Sequence, residues 1–493
     1  MRRNIPGRQT PDKSGDLPPG AIPGAGGPVS VYHDARGLEV TSASARAVRH
    51  FDDVIDAYLH FARDTGAHLK QTLAADADFT LAHCTKGYFF QLFCNGALEA
   101  KARASLDTAR ASAATRGVTP REQLHLDALA CWIAGDLTGA AACWETILMA
   151  HPHDVLAFKL ETYTRFYLGE SIRIRDTATR VMNAWDASLP GYHAILSVYA
   201  FGLEECGDYA AAEREGRRSV ELDAEDLWGV HAVAHVMEMQ DRRKDGITWL
   251  EHSAPNWSRG NNFVYHLWWH LALFYMELED YERVLSLYDE KVRSDTESTE
   301  YLDICNATSL LWRLEERGID VGDRWRELAE KAAQRTEDHL LVFPDTHFVL
   351  ALAGSENTDR LERMLASMRA HAGRAGITES EISAAVGLPV CEAVAAWYAK
   401  RYGRVVDLLL PVRYAVQRIG GSHAQRDMFW QMLIVACLRS GRTHEARALL
   451  AERTVLKPGN AWTWRRYAEA LEAAGETAPA AEARARAASL LAA

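Results

Sequence analysis

The fold is decided by Gly441-Arg442-Thr443-His444-Glu445-Ala446, together with the later Leu450 and Pro458. A Gly-Arg pair suits a tight turn, and small Ala446 lets two helices approach closely. Pro458 ends the second helix, because proline cannot donate the backbone hydrogen bond that a helix interior requires. The turn recurs as Gly475-Glu476, 34 residues after Gly441. The stretch therefore predicts a helical hairpin followed by another copy of the same unit.

Equivalent turns recur along most of the chain. They are Gly135-Asp136, Gly169-Glu170, Gly207-Asp208-Tyr209, Asp241-Arg242, Glu279-Asp280-Tyr281, Gly403-Arg404, Gly441-Arg442 and Gly475-Glu476. Their spacing is 34 residues in some steps, as from Gly207 to Asp241, and 38 in others, which adds about one helical turn. A period of 34 residues is that of the tetratricopeptide repeat, whose hairpins bury their apolar faces only by stacking. We therefore predict an all-α, tetratricopeptide-like helical-hairpin repeat solenoid with a concave groove.

Four segments are expected along the chain. Residues 1–40 are rich in proline and glycine, which predicts a flexible arm without a core. Residues 41–293 form N-terminal helical repeats, and residues 399–493 form C-terminal helical repeats. Residues 294–398 keep helical periodicity but lose the regular spacing, so we expect degenerate repeats there.

Composition restricts the functional classes. The 493 residues are 48% hydrophobic and 25% charged, without an apolar run long enough for a membrane span or a signal sequence, so a cytoplasmic protein is expected. Eight scattered cysteines form no C-x-x-C pair, so neither a disulfide framework nor a zinc ribbon is expected. A net charge of −12 disfavours nucleic acid and anionic membranes as partners. A protein, a peptide or a small molecule is the expected partner, and an oligomer is possible.

Two predicted helices carry paired histidines, His231 with His235 and His266 with His270. Residues four apart project from the same face of a helix, and Glu238 extends the first row by about one turn. Counting back from the Asp241 turn places both pairs on first helices of adjacent repeats, which line the concave groove. The two pairs should therefore face one cavity.

Three interpretations of this cluster are open. In the first, the imidazoles are neutral and form hydrogen bonds between packed helices. In the second, the four residues bind a divalent metal such as zinc, manganese, iron or nickel; the ligands would be His231, His235, His266 and His270. The third is a metal-free pocket in which His231, His235, Glu238 and His347 carry acid-base catalysis.

Six residues are candidates for ligand binding: His266, Trp269, His270, Asp303, Arg426 and Asp427. Trp269 is expected mainly to pack helices and to wall the groove. Asp303 has apolar neighbours, so we expect a buried partner for it, for example one of the histidines. Arg426 and Asp427 suit either a helix start with a structural Arg–Asp pair or a clamp for an anionic ligand.

A proline-containing turn precedes a helix predicted for residues 348–353. Asp345 follows Pro344 in that turn and is expected to cap the helix. His347 is assigned no clear preference between a structural and a catalytic role.

Longer motifs make the chain resemble a bacterial member of the tetratricopeptide repeat protein 38 family. They are Val230-His231-Ala232-Val233-Ala234-His235 with Glu238-Met239, His266 with Trp269-His270, Leu341-Val342-Phe343-Pro344-Asp345-Thr346-His347-Phe348, Gly387-Leu388-Pro389, Leu410-Pro411-Val412-Arg413-Tyr414, and Gly420-Gly421-Ser422 with Ala424-Gln425-Arg426-Asp427. The resemblance covers most of the chain after the arm and is strongest over residues 227–458. It implies a helical-repeat fold without a settled activity. His423 replaces an expected asparagine and Val435 an expected histidine, which argues against roles for those two positions.

Two functional hypotheses follow. The first is a helical-repeat protein that binds a partner or ligand in the His/Glu/Asp-lined concave groove. The alternative is an enzyme, with or without a bound metal ion, that uses the clustered histidines for acid-base or metal-assisted chemistry on a small molecule. An open groove favours the first hypothesis, and an enclosed convergence of the histidines favours chemistry. Because the chain has no Gly-rich phosphate loop, G-x-S-x-G elbow or kinase signature, neither nucleotide chemistry nor serine hydrolysis is expected.

Overall fold

Helical hairpins make up almost all of the protein. The structure is a computed structural model, and it describes residues 30–492. Its α-helices are α1 Ala45–Leu59, α2 Thr65–Ala75, α3 Thr80–Leu92, α4 Glu99–Arg116, α5 Pro120–Ile133, α6 Leu137–Ala150, α7 Val155–Tyr167, α8 Ser171–Met182, α9 Tyr192–Glu205, α10 Tyr209–Leu222, α11 Leu227–Met239, α12 Arg243–Ser253, α13 Phe263–Glu277, α14 Tyr281–Leu287, α15 Tyr301–Glu316, α16 Arg324–Ala332, α17 Val342–Gly354, α18 Thr358–His371, α19 Thr378–Ile382, α20 Leu388–Tyr398, α21 Tyr402–Val412, α22 His423–Arg439, α23 Thr443–Leu456, α24 Ala461–Ala473 and α25 Thr477–Ala492. The predicted all-α repeat solenoid is confirmed.

The recurring turns lie where one helix of a hairpin ends and the next begins. Gly135 and Gly207 both have a φ of 84°, the left-handed region that only glycine adopts without strain. The following Asp136 and Asp208 cap α6 and α10, because each side chain accepts a hydrogen bond from a backbone N–H in the first turn. Asp241 occupies the left-handed position in its own turn, with a φ of 56°.

Residues 30–40, predicted as part of a flexible arm, are ordered. Strands β1 (Ser30–His33) and β2 (Glu39–Ser42) form an antiparallel hairpin. Val40 is completely buried, and Glu122 of α5 accepts hydrogen bonds from the Thr41 backbone N–H at 2.9 Å and from its hydroxyl at 2.7 Å. The boundary at residue 40 is therefore wrong for residues 30–40, because side chains of α5 hold a hairpin that is too short to give a sequence signal. The rest of the predicted arm, residues 1–29, lies outside the described residues.

The segment between residues 294 and 398 remains helical, from α15 to α20. Two π-helical segments occur here, Tyr288–Val292 just before the segment and Ser383–Gly387 directly before α20. Short 3₁₀ turns at Gly96–Leu98, Ala254–Trp257 and Val416–Ile419 complete the helical structure. A π-helix shifts the following residues relative to the α-helical period, which accounts for the lost spacing.

One hydrophobic core runs through the stacked hairpins from Val40 to Ala470. Its largest fully buried side chains include Trp144, Trp269 and Trp312. A smaller cluster, which includes Leu471, joins α24 to α25 at the end of the solenoid. Among residues 30–492, no helix has both the length and the apolarity that a membrane crossing requires.

The solenoid closes on itself. Helix α22 contacts both α11 and α15, which are first helices of earlier hairpins. Arg313 of α15 donates to the Ala424 carbonyl at 2.9 Å, and the Gly459 N–H donates to the Asp241 carboxylate at 2.7 Å. The C-terminal hairpins therefore occupy the concave side, and α22 fills the predicted groove at this level.

Candidate metal centre

Helices α11 and α13 pack against each other and bring the two histidine pairs together. The Nε2 atom of His231 lies 3.0 Å from Nε2 of His235 and 3.1 Å from Nε2 of His266. One ring nitrogen from each of these three residues and from His270 lies within 4.8 Å of the others. None of the four residues, which we call the four-histidine cluster, is more than 3% exposed. The predicted convergence is confirmed, and it is enclosed by protein.

Oxygen atoms outside the cluster orient two of the rings. His266 donates from Nδ1 to the Asn306 side-chain oxygen at 2.9 Å, and His270 donates from Nδ1 to Glu238 at 3.1 Å. Because a neutral imidazole carries one proton, the Nε2 atoms of these two rings carry lone pairs. Histidines that bind metals are held in this way, with the outer nitrogen donating to a carboxylate or amide oxygen.

Neutral imidazoles alone cannot satisfy the contacts at the centre. The Nε2 atom of His231 approaches two other ring nitrogens, so its single proton or lone pair must be shared between both contacts. Within the described residues, Nδ1 of His231, Nδ1 of His235 and Nε2 of His270 also have no hydrogen-bond partner. A cation at the centre would satisfy several inward-facing lone pairs at once.

Burial favours the uncharged form of three of these imidazoles. Desolvation lowers the pKa of His231, His235 and His266 well below the ordinary histidine value, and the neighbouring imidazoles lower it further. Metal ions bind the neutral form of imidazole, so these residues need no deprotonation at neutral pH before they can act as ligands.

The sequence prediction missed Glu204, at the end of α9. Its carboxyl group is completely buried, has no hydrogen-bond partner among the described residues and lies 3.8 Å from Nδ1 of His235. Burial, reinforced by Glu205 and Glu238, raises the pKa of Glu204 well above the ordinary value, which favours the protonated carboxyl group. Glu204 precedes Glu238 by 34 residues, so the repeat register contained a signal for it. Asn306 was missed as well, because its helix lies outside the regularly spaced repeats.

Aromatic rings form the wall of the cluster. Trp269 stacks on His266 with ring centroids 5.2 Å apart and donates its indole N–H to Ser309 at 3.0 Å. Phe201 of α9 stacks on His231 at 5.6 Å. Trp269 therefore packs against His266 and is fully buried, so it has no open face toward a groove.

The structure places His347 apart from the four-histidine cluster. Its Nδ1 donates to the Phe343 carbonyl at 2.8 Å, and burial lowers its pKa to about 4. The predicted cap role of Asp345 is wrong, because α17 begins at Val342 and Asp345 already lies inside its first turn. Asp345 accepts a hydrogen bond from His339 at 3.0 Å instead.

The predicted Arg426–Asp427 pair is also wrong, although α22 does begin at this point with a capping box. Arg426 pairs with Glu205 at 3.1 Å, whereas Asp427 pairs with Arg453. Adjacent residues on a helix point in different directions, so each binds a different part of the solenoid. Since protein partners neutralise both charges, this structure does not support a shared anion clamp.

Asp303 does not bind a histidine either. It accepts hydrogen bonds from Ser298 at 2.5 Å and from Asn262 at 2.7 Å. The nearby loop and the start of α13 therefore supply its partners, and burial raises its pKa to about 6.

A second histidine group is an ion pair. His60 donates from Nδ1 to the Asp56 carbonyl at 2.8 Å and from Nε2 to Asp223 at 2.8 Å. Both nitrogens are then protonated, and the hydrogen bonds to Asp223 and Asp56 outweigh desolvation and raise the pKa of His60 to about 9. Although His193 and Asp223 lie close by, His60 has no free lone pair for a metal ion.

A family model and several solved structures are similar to this chain. The tetratricopeptide repeat family matches residues 427–470, from α22 to α24. The human IFIT1 dimer with PPP-AAAA is 12% identical over 90% of this chain and 94% of that chain, with a TM-score of 0.40. The TPR domain of P58(IPK) is 12% identical over 75% of this chain and 93% of that chain, with a TM-score of 0.21. The Naa15/Naa10 structure bound to HypK-THB is 13% identical over 90% of this chain and 70% of that chain, with a TM-score of 0.25.

Proposed function

We propose that this helical-repeat protein is a metalloprotein that binds one divalent transition-metal ion through His231, His235, His266 and His270. The observation that carries the proposal is the convergence of four buried imidazoles whose inward-facing nitrogens cannot all be satisfied by hydrogen bonds to one another. The orienting bonds from Glu238 and Asn306 support it, because they turn lone pairs toward the centre.

The ligand set favours some metals over others. Imidazole suits zinc, iron and nickel, whereas manganese prefers sites rich in carboxylate. Glu238 is engaged by the outer nitrogen of His270, so the central donors are all nitrogens. Zinc, iron or nickel therefore fits better than manganese.

The proposal assigns the metal a binding role inside the solenoid. Four protein ligands without solvent exposure resemble closed structural sites, whereas catalytic sites keep one position open. When bound, the ion would tie α11 to α13. The acid-base alternative has less support, because Glu238 already pairs with His270 and His347 lies elsewhere. An open peptide-binding groove has less support because α22 fills that position.

Elemental analysis of the untagged, full-length protein tests the proposal. We expect about one equivalent of a transition metal per chain, and its loss in His235→Ala and His266→Gln. His347→Gln is the matched control, because it replaces an equally buried histidine outside the cluster. Circular dichroism of each variant separates loss of the metal from loss of the fold.

Two results would overturn the proposal. One is a folded protein that stays metal-free after incubation with zinc, iron and nickel. The other is a metal that is retained by both folded cluster variants, since the ion would then bind elsewhere.

A further inference from the structure

A second chain of polar groups links α17 to α18, separately from the four-histidine cluster. His339 lies in the loop before α17, with Nδ1 3.0 Å from an Asp345 carboxylate oxygen. Its Nε2 lies 2.8 Å from the hydroxyl oxygen of Ser367 in α18. Because the carboxylate accepts, Nδ1 carries the proton, and Nε2 is left to accept from the Ser367 hydroxyl. This is the tautomer that a histidine needs to act as a base toward a serine.

Ser367 has an unusual hydrogen bond for a helical serine. Ser105 and Ser253 of this protein donate to the carbonyl four residues earlier in their own helices, at 2.9 and 2.8 Å. The Ser367 hydroxyl instead points to His339, its one hydrogen-bond partner in the described chain. The hydroxyl is thereby oriented from outside its helix, as a nucleophile is by its base.

The surroundings hold His339 in place and leave the serine accessible. His339 has a φ of 48°, which costs a non-glycine residue about 1–3 kcal/mol and persists only where neighbouring contacts fix it. His339 and Asp345 are buried at 5% and 3% exposure, whereas Ser367 is partly exposed. The base and the group that orients it are therefore shielded from water, while the serine residue is partly exposed.

We propose that Ser367 is a nucleophile that accepts acyl groups from small activated esters, with His339 as its general base and Asp345 as the positioning residue. The sequence lacks the G-x-S-x-G elbow, but such triads are recognised by geometry and occur in several chain orders. Ser367 is only partly exposed, so the acyl group must be small. This proposal does not depend on the metal.

The reaction follows from the three groups. The Ser367 oxygen attacks the ester carbonyl carbon while its proton passes to Nε2 of His339. The bond from that carbon to the alcohol oxygen breaks, and the departing alcohol takes the proton from His339. Water then attacks the acyl-serine, which releases the carboxylic acid and restores the hydroxyl.

Covalent labelling of the full-length protein tests the proposal. The probes are a fluorophosphonate and p-nitrophenyl acetate, with peptide mass spectrometry to locate the adduct. We expect modification of Ser367, none at that site in Ser367→Ala, and normal labelling in the control Ser355→Ala, another partly exposed serine. His339→Gln and the isosteric Asp345→Asn should each slow labelling by about 10²–10⁴-fold.

Two outcomes would refute the triad. One is the absence of an adduct on Ser367 in folded wild-type protein. The other is an unchanged labelling rate in Asp345→Asn or His339→Gln, because a serine that reacts without its base is only an exposed hydroxyl. If His339→Gln fails to fold by circular dichroism, Asp345→Asn decides the question.

Discussion

Replacing Gly169 with alanine should weaken the closure of the solenoid. Gly169 has a φ of 68° in the turn between α7 and α8. A methyl group there would overlap the backbone carbonyl oxygen of Gln417, in the 3₁₀ turn that leads to α22. A backbone atom cannot move aside as a flexible side chain can. The turn and the helix after it must therefore shift.

The expected loss of stability in Gly169→Ala follows from a comparison with Gly207, which occupies the equivalent turn one repeat later. Gly207 has a φ of 84°, and a methyl group there would meet no atom within 4 Å. Gly207→Ala should therefore lower the free energy of unfolding by about 1–2 kcal/mol, the strain of a left-handed backbone at a non-glycine residue. Gly169→Ala should cost the same strain plus about 1–3 kcal/mol for the steric overlap.

Urea unfolding followed by circular dichroism measures the difference between the two variants. We expect Gly169→Ala to unfold at lower urea concentration than Gly207→Ala. Proteolysis should also cut Gly169→Ala faster near residues 413–422, where the displaced turn lies. Equal losses of stability in the two variants would show that this contact does not hold the C-terminal hairpins in place.

Three further predictions concern buried ionisable groups. Arg453→Met should lower the free energy of unfolding by about 3–5 kcal/mol, because Asp427 stays buried without its arginine partner. The control Arg447→Met removes one member of an exposed pair and should change the free energy of unfolding by less than about 1 kcal/mol, so similar losses of the two variants in urea unfolding would contradict the prediction. Burial among three aromatic rings lowers the pKa of Lys159 to about 8, which means that its charge destabilises the folded state. Lys159→Met should therefore raise the free energy of unfolding at pH 7 by as much as about 3 kcal/mol, and a less stable variant would contradict this prediction. Burial lowers the pKa of His347 to about 4, so between pH 6.5 and 4 the unfolded state takes up a proton that the native state does not, and the free energy of unfolding falls. In unfolding measured across this pH range, His347→Gln should remove about 3 kcal/mol of that fall, and an unchanged pH dependence would disprove the lowered pKa of His347.

Local periodicity was sufficient to predict the hairpins. A turn such as Gly207-Asp208 contains the left-handed residue and the helix cap together, so its spacing reports the length of each unit. The same register placed His235 and His270 on adjacent first helices, which predicted their convergence correctly. Helical spacing determines the direction of a side chain wherever the helix is regular.

The closure of the solenoid could not be predicted in this way. It depends on contacts between distant segments, such as Gly169 with Gln417 and Arg426 with Glu205. The rotation that brings α22 inside the concave face accumulates from small angles between successive repeats, which residue patterns do not specify. For this reason the sequence could not decide between an open groove and an enclosed one.

The individual errors arose where distant partners replaced local ones. Asp345 has the position of a helix cap in the sequence, but its helix begins earlier, and its carboxylate accepts a hydrogen bond from His339 instead. Arg426 and Asp427 are adjacent in sequence yet bind separate partners on different helices. Charges beside one another in sequence therefore gave little information about pairing in this buried region.

X-ray absorption at the zinc edge of zinc-loaded, untagged protein tests the central proposal most directly. The four-histidine cluster predicts four nitrogen donors at about 2.0–2.1 Å, with the multiple-scattering signature of imidazole rings. His270→Ala should lower the number of imidazole donors or abolish binding. A zinc ion coordinated mainly by oxygen or sulfur, or an unchanged spectrum in folded His270→Ala, would contradict the metal centre.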